Sequence, residues 1–476
     1  MKTMMVVQKA GDSGGHNSAI GTLVIIITSC ACLSAQQVAA PQGLTISQAV
    51  DAAVHNYPSI QVSQEQINAA AAGIQLARTA YLPRVDALAQ VNRATRNNVF
   101  GLLLPQNVIP SMSGPALGTN NFGTAWGSAI GVLVTWEPFD FGLRQASVAA
   151  ATAARTKSQA TLKRTQFDVS VAAADAYVTL VAAQQTVRAA QAGVDRAEVI
   201  SRTINALVNA QLRPGADASR AAAELAAART LLIQARQAVE VARVNVSQFV
   251  GLAPAQIAVA APKLLELPPE GTVAPLDTAM NPVATEQSAV IEQLKTQLKI
   301  LERSYFPRFL AQASTYARGT GAEVDGKILG GLNGLAPTFQ DSALGFTVTF
   351  PAFDLPSLRA RESGQSAAIR AENARLRQIA TDITAQWNRA VAMLEGTRNV
   401  AANTPVQVAA ARAAAEQATA RYQSGLGNID AVAEAQRLLT QSEIDDALAR
   451  LGVWRGLLEV ATAAGDIQPF VIEASQ

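Results

Sequence analysis

The 476-residue chain holds only two cysteines and two histidines. Cys30, Cys32 and His16 all fall in the first 33 residues, which have the make-up of a targeting leader, so the remainder keeps His55 alone. A disulfide framework, thiol chemistry, a zinc site or a histidine-based triad therefore has almost nothing to be built from. His55 reads as a helix-surface residue, because no second ligand type accompanies it. Charged residues are only 16% and aromatics 5%, whereas a soluble domain carries about 25% charge. Lys and Arg number 38 against 36 Asp and Glu, a net charge of +2, which offers no basic face for nucleic acid. The composition implies no cofactor and no enzyme.

Lys2 and Lys9 precede an apolar run from Ala19 to Leu33, and Leu33-Ser34-Ala35 offers small-residue cleavage before Gln36. Residues 1–35 thus read as a signal peptide. The run is shorter than the roughly 20 residues a spanning helix requires, so an uncleaved anchor is disfavoured. A second reading makes Ile27-Thr28-Ser29-Cys30 a lipoprotein box with Cys30 acylated. Beyond the leader no stretch combines the length and hydropathy of a membrane helix, which leaves the closed β-barrel as the other spanning structure.

The chain repeats itself. Tyr81-Leu82-Pro83-Arg84 aligns with Tyr305-Phe306-Pro307-Arg308 at an offset of 224, which also places Pro58 on Pro282. Phe139-Asp140 aligns with Phe353-Asp354 at 214, and Asp217 with Asp430 at 213. Each half reads as helix, two strands around a loop, a very long helix, a turn and a shorter helix. The units are 36–251 and 283–464, joined by a proline-rich connector over 252–282 and followed by a tail over 465–476.

From Leu143 to Leu212 there is no proline and a single glycine, Gly193, which predicts a rod of roughly 105 Å. Its heptads run Leu180/Ala183, Val187/Ala190, Val194/Ala197 and Ser201/Ile204. The counterpart from Ser357 to Ser424 reads Leu376/Ile379, Ile383, Ala390/Met393 and Thr397/Val400, with Gly396 interrupting and Pro405 predicting a kink. Shorter helices are expected over about 45–80 and 216–250. An alanine-rich heptad by itself also fits a filament-like coiled coil.

The strands weigh against that. Trp126, Ile130, Val132, Val134 and Trp136 alternate with small residues, as do Leu344, Phe346, Val348 and Phe350. Trp126 and Trp136 stand ten residues apart on one face, or about 25 Å vertically at a typical tilt, the height of an apolar band between aromatic girdles. A soluble sandwich shows the same alternation. Four strands are too few to close a barrel, and three chains supply twelve.

Across roughly Leu44 to Ala464 the sequence resembles the TolC-like outer-membrane efflux protein family. The resemblance rests on Leu44-Thr45-Ile46-Ser47-Gln48-Ala49-Val50 leading to Asn56-Tyr57-Pro58, both Tyr-x-Pro-Arg junctions, Pro138-Phe139-Asp140-Phe141-Gly142, and Tyr422-x-x-Gly425 through Asp430. It implies an α+β membrane protein: a homotrimer with a twelve-stranded outer-membrane β-barrel, four strands per chain, continued by a periplasmic α-helical coiled-coil barrel. It also implies a passive export duct in outer membrane lipid, fed by a periplasmic adaptor and an inner-membrane pump of the RND, ABC or MFS class. The exported substrate is not legible. Two places depart from the family pattern: Pro356 follows Phe353-Asp354-Leu355 where glycine is usual, and Pro214 stands in the first tip.

A duct has constrictions and docking tips in place of catalytic groups. Asp430 and Glu434, one helical turn apart, resemble the family's narrowing acids, and would form charged rings under threefold symmetry. A capping acid and a solvated glutamate explain the pair equally well. Gly215, Asp217, Gly425, Leu426 and Gly427 mark adaptor-docking tips, although glycine there also simply ends a helix. Trp126, Trp136, Phe346 and Phe350 are expected to face lipid, and Asp86, Gln90 and Asn92 the lumen. The rival reading is a periplasmic coiled-coil adaptor or structural protein.

Overall fold

The computed structural model describes residues 43–95, 124–269, 271, 275–323 and 327–475, so the leader and Cys30 lie outside the described residues. The first half lays down α1 (Ile46–Asn56), α2 (Pro58–Thr79), β1 (Arg84–Thr95), β2 (Thr124–Phe139), α3 (Leu143–Asn209) and α4 (Gly215–Val250). The second gives α5 (Pro282–Arg303), β3 (Arg308–Thr320), β4 (Phe339–Thr349), α6 (Leu355–Gln423) and α7 (Ile429–Ala464), with α8 (Gln468–Ser475) after it.

The helix expected over 45–80 is two helices. Pro58 disfavours a helical residue before it, so Tyr57 is extended (φ −71°, ψ 125°) and α2 restarts with Pro58 in its first turn. Pro405, by contrast, leaves α6 unbroken over 69 residues. The Ala401 carbonyl that loses its N–H donor there has Thr404 Oγ1 3.4 Å away, and the single hydrogen of that hydroxyl is shared with Asp446 of α7, the nearer acceptor at 2.8 Å.

Helices α2 and α4 run along α3, and α5 and α7 lie between α3 and α6. The order across the helical layer is therefore α2 with α4, α3, α5 with α7, and α6. The α3 seam is buried where the heptads place it, at Leu180, Ala190, Val194, Ser201 and Ile204. In α6 Ile383 and Ala390 are buried where the heptads place them, and the other edge of the seam is displaced. Met393 and Val400 are half exposed, and Ala390, Leu394, Ala401, Ala411 and Ala415 make the contact with α7. A heptad fixes the period but not which of two adjacent stripes meets the partner, and here Leu394 and Ala401 do.

The main core gathers Tyr177, Leu180, Val246, Leu264, Trp454 and Phe470. It also anchors the connector. Tyr177 Oη lies 2.8 Å from the Leu44 carbonyl and 3.0 Å from that of Ala260, and Trp454 Nε1 donates to the Glu266 carbonyl at 2.8 Å. Residues past 465 form α8, which adds Phe470 and Val471 to that core.

The four strands form one antiparallel sheet in the order β1-β2-β3-β4. Gly142, at φ +89°, turns β2 into α3, a left-handed conformation that glycine adopts freely. Asp140 accepts the backbone N–H groups of Gly142 (3.1 Å) and Arg144 (2.6 Å), and the Arg144 Nε at 2.8 Å. Both side chains are about a tenth exposed, and the guanidinium lies 4.8 Å from the Tyr81 ring centre. At the second junction Pro356 sits in the first turn of α6 and no left-handed residue is required, which accounts for the departure at that site. Arg144→Met is expected to lower unfolding stability by about 3–5 kcal/mol, because it strands a buried carboxylate. Thermal unfolding in detergent measures it, and a loss under 1 kcal/mol would show the pair to be dispensable.

Candidate functional site

The sheet has two unlike faces. Register pairs Ala87 with Val132, Ala89 with Ile130 and Val134 with Ala313, and continues through Ala313 with Leu344 and Ala311 with Phe346. On this face Val85, Val91, Ile130, Val132, Leu344, Phe346 and Val348 are all exposed, Leu344 at 87%. Trp136 and Phe350 are exposed with them. Trp126 belongs to the same face but is half covered. The Arg93 guanidinium stands 5.3 Å over its ring, and Gly334 brings the β3–β4 loop against its backbone.

Asp86 and Gln90 point to the opposite face, which also holds Leu133, Gln312, Ser314 and Tyr316 in buried positions. Asp86 is ion-paired to Arg84 at 3.0 Å. Asn92 holds register opposite Gly127, and its side chain lies outside the described residues.

Where the sheet meets the helices, Phe139, Phe141, Phe306, Phe309 and Phe346 form a chain of ring contacts at 4.6 to 6.1 Å. The girdle residues chosen from strand alternation missed most of this cluster. Its signal was present in the duplicated junction motifs, which repeat phenylalanine at the strand ends.

At the other end, the α3–α4 and α6–α7 turns meet. The left-handed residue is Gln211 (φ +59°) in the first and Gly425 (φ +81°) in the second, so Pro214 merely precedes α4 without straining the turn. Arg213 crosses between them: its guanidinium lies 4.4 Å from the Tyr422 ring centre and donates to the Tyr422 carbonyl. Tyr422 in turn donates its hydroxyl to Asp217 at 2.7 Å. The ring is 3% exposed, packed with Ile204, Ala221, Ile429 and Val432. Burial first, and the bond to Asp217 second, push the phenol up to about 12.

Asp430 and Glu434 stand beside this lock, 68% and 78% exposed. Asp430 does not cap α7, since Asn428 accepts the Ala431 N–H at 3.0 Å. It pairs instead with Arg220 at 3.3 Å, which is equally close to Glu224. Arg437 takes Glu224 in a two-pronged pair, with Nε at 2.9 Å, and reaches Glu434 only at 4.0 Å. Arg213, Arg220, Glu224 and Arg437 were invisible to motif reading, because their partners are more than 200 residues away in the chain or on a neighbouring helix. Gly215 opens α4 and Gly427 precedes α7, while Leu212 (69%) and Leu426 (73%) project from the two turns as exposed apolar knobs.

No helix among the described residues is long and apolar enough to cross a membrane. Residues 49–252 match the outer membrane efflux protein family. No curated protein matches the chain. Its fold is shared by solved structures that include the following. The outer-membrane channel OprN is 20% identical, with 88% of this chain and 89% of that one covered and a TM-score of 0.69. The outer membrane protein VceC from Vibrio cholerae is 16% identical, covering 88% and 96%, at 0.68. The Campylobacter jejuni CmeC outer membrane channel is 14% identical, covering 90% and 89%, at 0.69. The first repeat thus carries the sequence of the outer membrane efflux proteins, and the described chain as a whole has the fold of the TolC-like outer-membrane channels.

Proposed function

We propose that this protein is the outer-membrane channel of a tripartite efflux or type I secretion system, passively conducting cargo from an inner-membrane pump and its periplasmic adaptor. The observation that carries the reading is a four-stranded sheet with one exposed apolar face and two unpartnered edge strands, β1 and β4. In lipid every backbone N–H and C=O needs a partner, so the sheet must close. The edges of one chain match those of a neighbour: β4 leads into α6 on one side, and α2 leads into β1 on the other, with α4 below it.

Both helical edges carry apolar side chains left exposed among the described residues. Met393, Val400 and Val406 are exposed on α6, and Ile233, Val241 and Val244 on α4. A head-to-tail contact between these faces closes as a ring, and three copies give the twelve strands of a small barrel. The protein then sits in the outer membrane through its strands, with the helices in the periplasm. The apolar face also disfavours the periplasmic adaptor or structural reading, in which that surface would meet water.

At the tip, the Arg213–Tyr422–Asp217 lock and the Arg220–Asp430 and Arg437–Glu224 ion pairs hold the two hairpins together, and with Asp430 and Glu434 they form the gate. The knobs at Leu212 and Leu426, framed by Gly215, Asp217, Gly425 and Gly427, dock the adaptor. Purified from outer membranes, the protein is expected to run as a trimer and to give discrete single-channel currents in planar bilayers. A soluble monomer without conductance would overturn the reading. Met393→Glu with Val400→Glu is expected to shift the native mass from trimer to monomer, since it sets two carboxylates into each contact at a cost of several kcal/mol. An unchanged trimer would move the interface elsewhere.

A further inference from the structure

Directly behind the tip, α3, α4 and α7 enclose a groove of about 470 Å³. That is the size of a small-molecule site, which spans about 300–1,000 Å³. The gap follows from sequence. Helices α4 and α7 both pack on α3, but the facing positions Ala197, Ala227, Ala228 and Ala433 are too short to fill the space between them. Ile200, Leu231 and Leu438 supply the larger apolar surface.

The polar lining is Glu224, Glu434, Gln436, Arg437, Thr440 and Gln441, two carboxylates against one guanidinium. Gln436 Oε1 is buried and has no hydrogen-bond partner, leaving an acceptor that wants an N–H or O–H. Glu434 is 78% exposed, and its nearest guanidinium, that of Arg437, is 4.0 Å away and already committed to Glu224. With Asp430 and Arg220 counted, three carboxylates stand here against two guanidiniums. The excess is negative and the vacant hydrogen-bonding position is an acceptor.

We infer that this groove binds an amine-bearing amphiphile, its apolar body against Ile200, Leu231 and Leu438. The Glu434 carboxylate selects for positive charge, and Gln436 Oε1 accepts an N–H. The inference deepens the channel reading, since a guest held here sits just behind the proposed gate and is either cargo in transit or a blocker.

The test is calorimetric titration of the detergent-solubilised protein with 2-naphthylmethylamine and with 2-naphthoate, which share a ring system and differ in the sign of charge. The amine is expected to bind at least about tenfold more tightly, the equivalent of about 1.4 kcal/mol. Glu434→Gln is expected to weaken the amine about fivefold, as a partly exposed ion pair of about 1 kcal/mol implies. Ala227→Trp, at an exposed α4 position that fills the groove without entering the core, is expected to remove binding by at least about tenfold. Equal affinity for both probes, binding by neither, or indifference to Ala227→Trp would overturn the site. Conductance of the same preparations separates the two claims. Conducting protein without binding overturns only the groove, and protein that binds the amine but never conducts overturns the channel.

Discussion

Replacing Tyr422 by Phe together with Arg213 by Ala is expected to raise the open probability of the channel, and with it the mean current, by more than about tenfold. Hydrogen bonds to charged groups contribute about 1.5–3 kcal/mol each, and this pair of substitutions removes one to Asp217 and one from Arg213. A joint loss of about 3 kcal/mol shifts a closed–open equilibrium by about 150-fold, so a tip open about 1% of the time becomes open a little more than half of it. Tyr422→Phe keeps the ring and its packing against Ile429 and Val432, so the effect isolates the bond from the core. Unchanged mean current in planar bilayers would return these residues to a purely structural role.

The same lock predicts an alkaline transition. The phenol is held above the ordinary tyrosine value of 10, at about 12. A group whose pKa is raised by folding contributes stability that is complete below its free value and is lost as pH rises through the folded one. The closed tip should therefore persist to about pH 10 and release as pH climbs toward about 12. Current through the wild-type channel should rise over that window, and the Tyr422→Phe variant should show no such step.

Leu344→Arg is expected to abolish insertion. Leu344 is 87% exposed in the middle of β4, on the face shared with Ile130 and Phe346. An arginine facing lipid near the midplane costs about 2–4 kcal/mol, and a trimer carries three of them, about 6–12 kcal/mol against a marginal total. The variant should be missing from the outer-membrane fraction. Ala343→Arg supplies the control. Its position is opposite Ser314, on the face of Gln312 and Tyr316, so the same charge is expected to be accepted there and to turn the current toward anions. Equal assembly of both variants would show that neither face meets lipid.

Much of this architecture was legible along the chain. Strand alternation depends on a period of two, and residues such as Val132 and Trp136 reached the expected face because backbone pleating leaves no other choice. The α3 seam likewise followed from its heptads. Less was legible where the competing states are close in energy. Nothing local distinguishes the Leu394–Ala401 stripe of α6 from the Met393–Val400 stripe beside it, and packing against α7 alone selects one. Tyr57 broke a helix that propensity would have continued, because the proline after it removes the helical conformation at that position.

The tip shows the same division. Tyr422, Gly425 and Asp430 stand out along the chain as a motif. The partners of those residues did not stand out. Arg213 reaches Tyr422 across 209 positions of sequence, and Arg437 reaches Glu224 across 213. The sequence by itself determined the duplication, the rods and the two-faced strands, since each depends on local periodicity or composition. Only the tertiary structure decided which arginine holds which acid and where alanine leaves a groove, because those depend on helices brought together through packing that no single segment encodes.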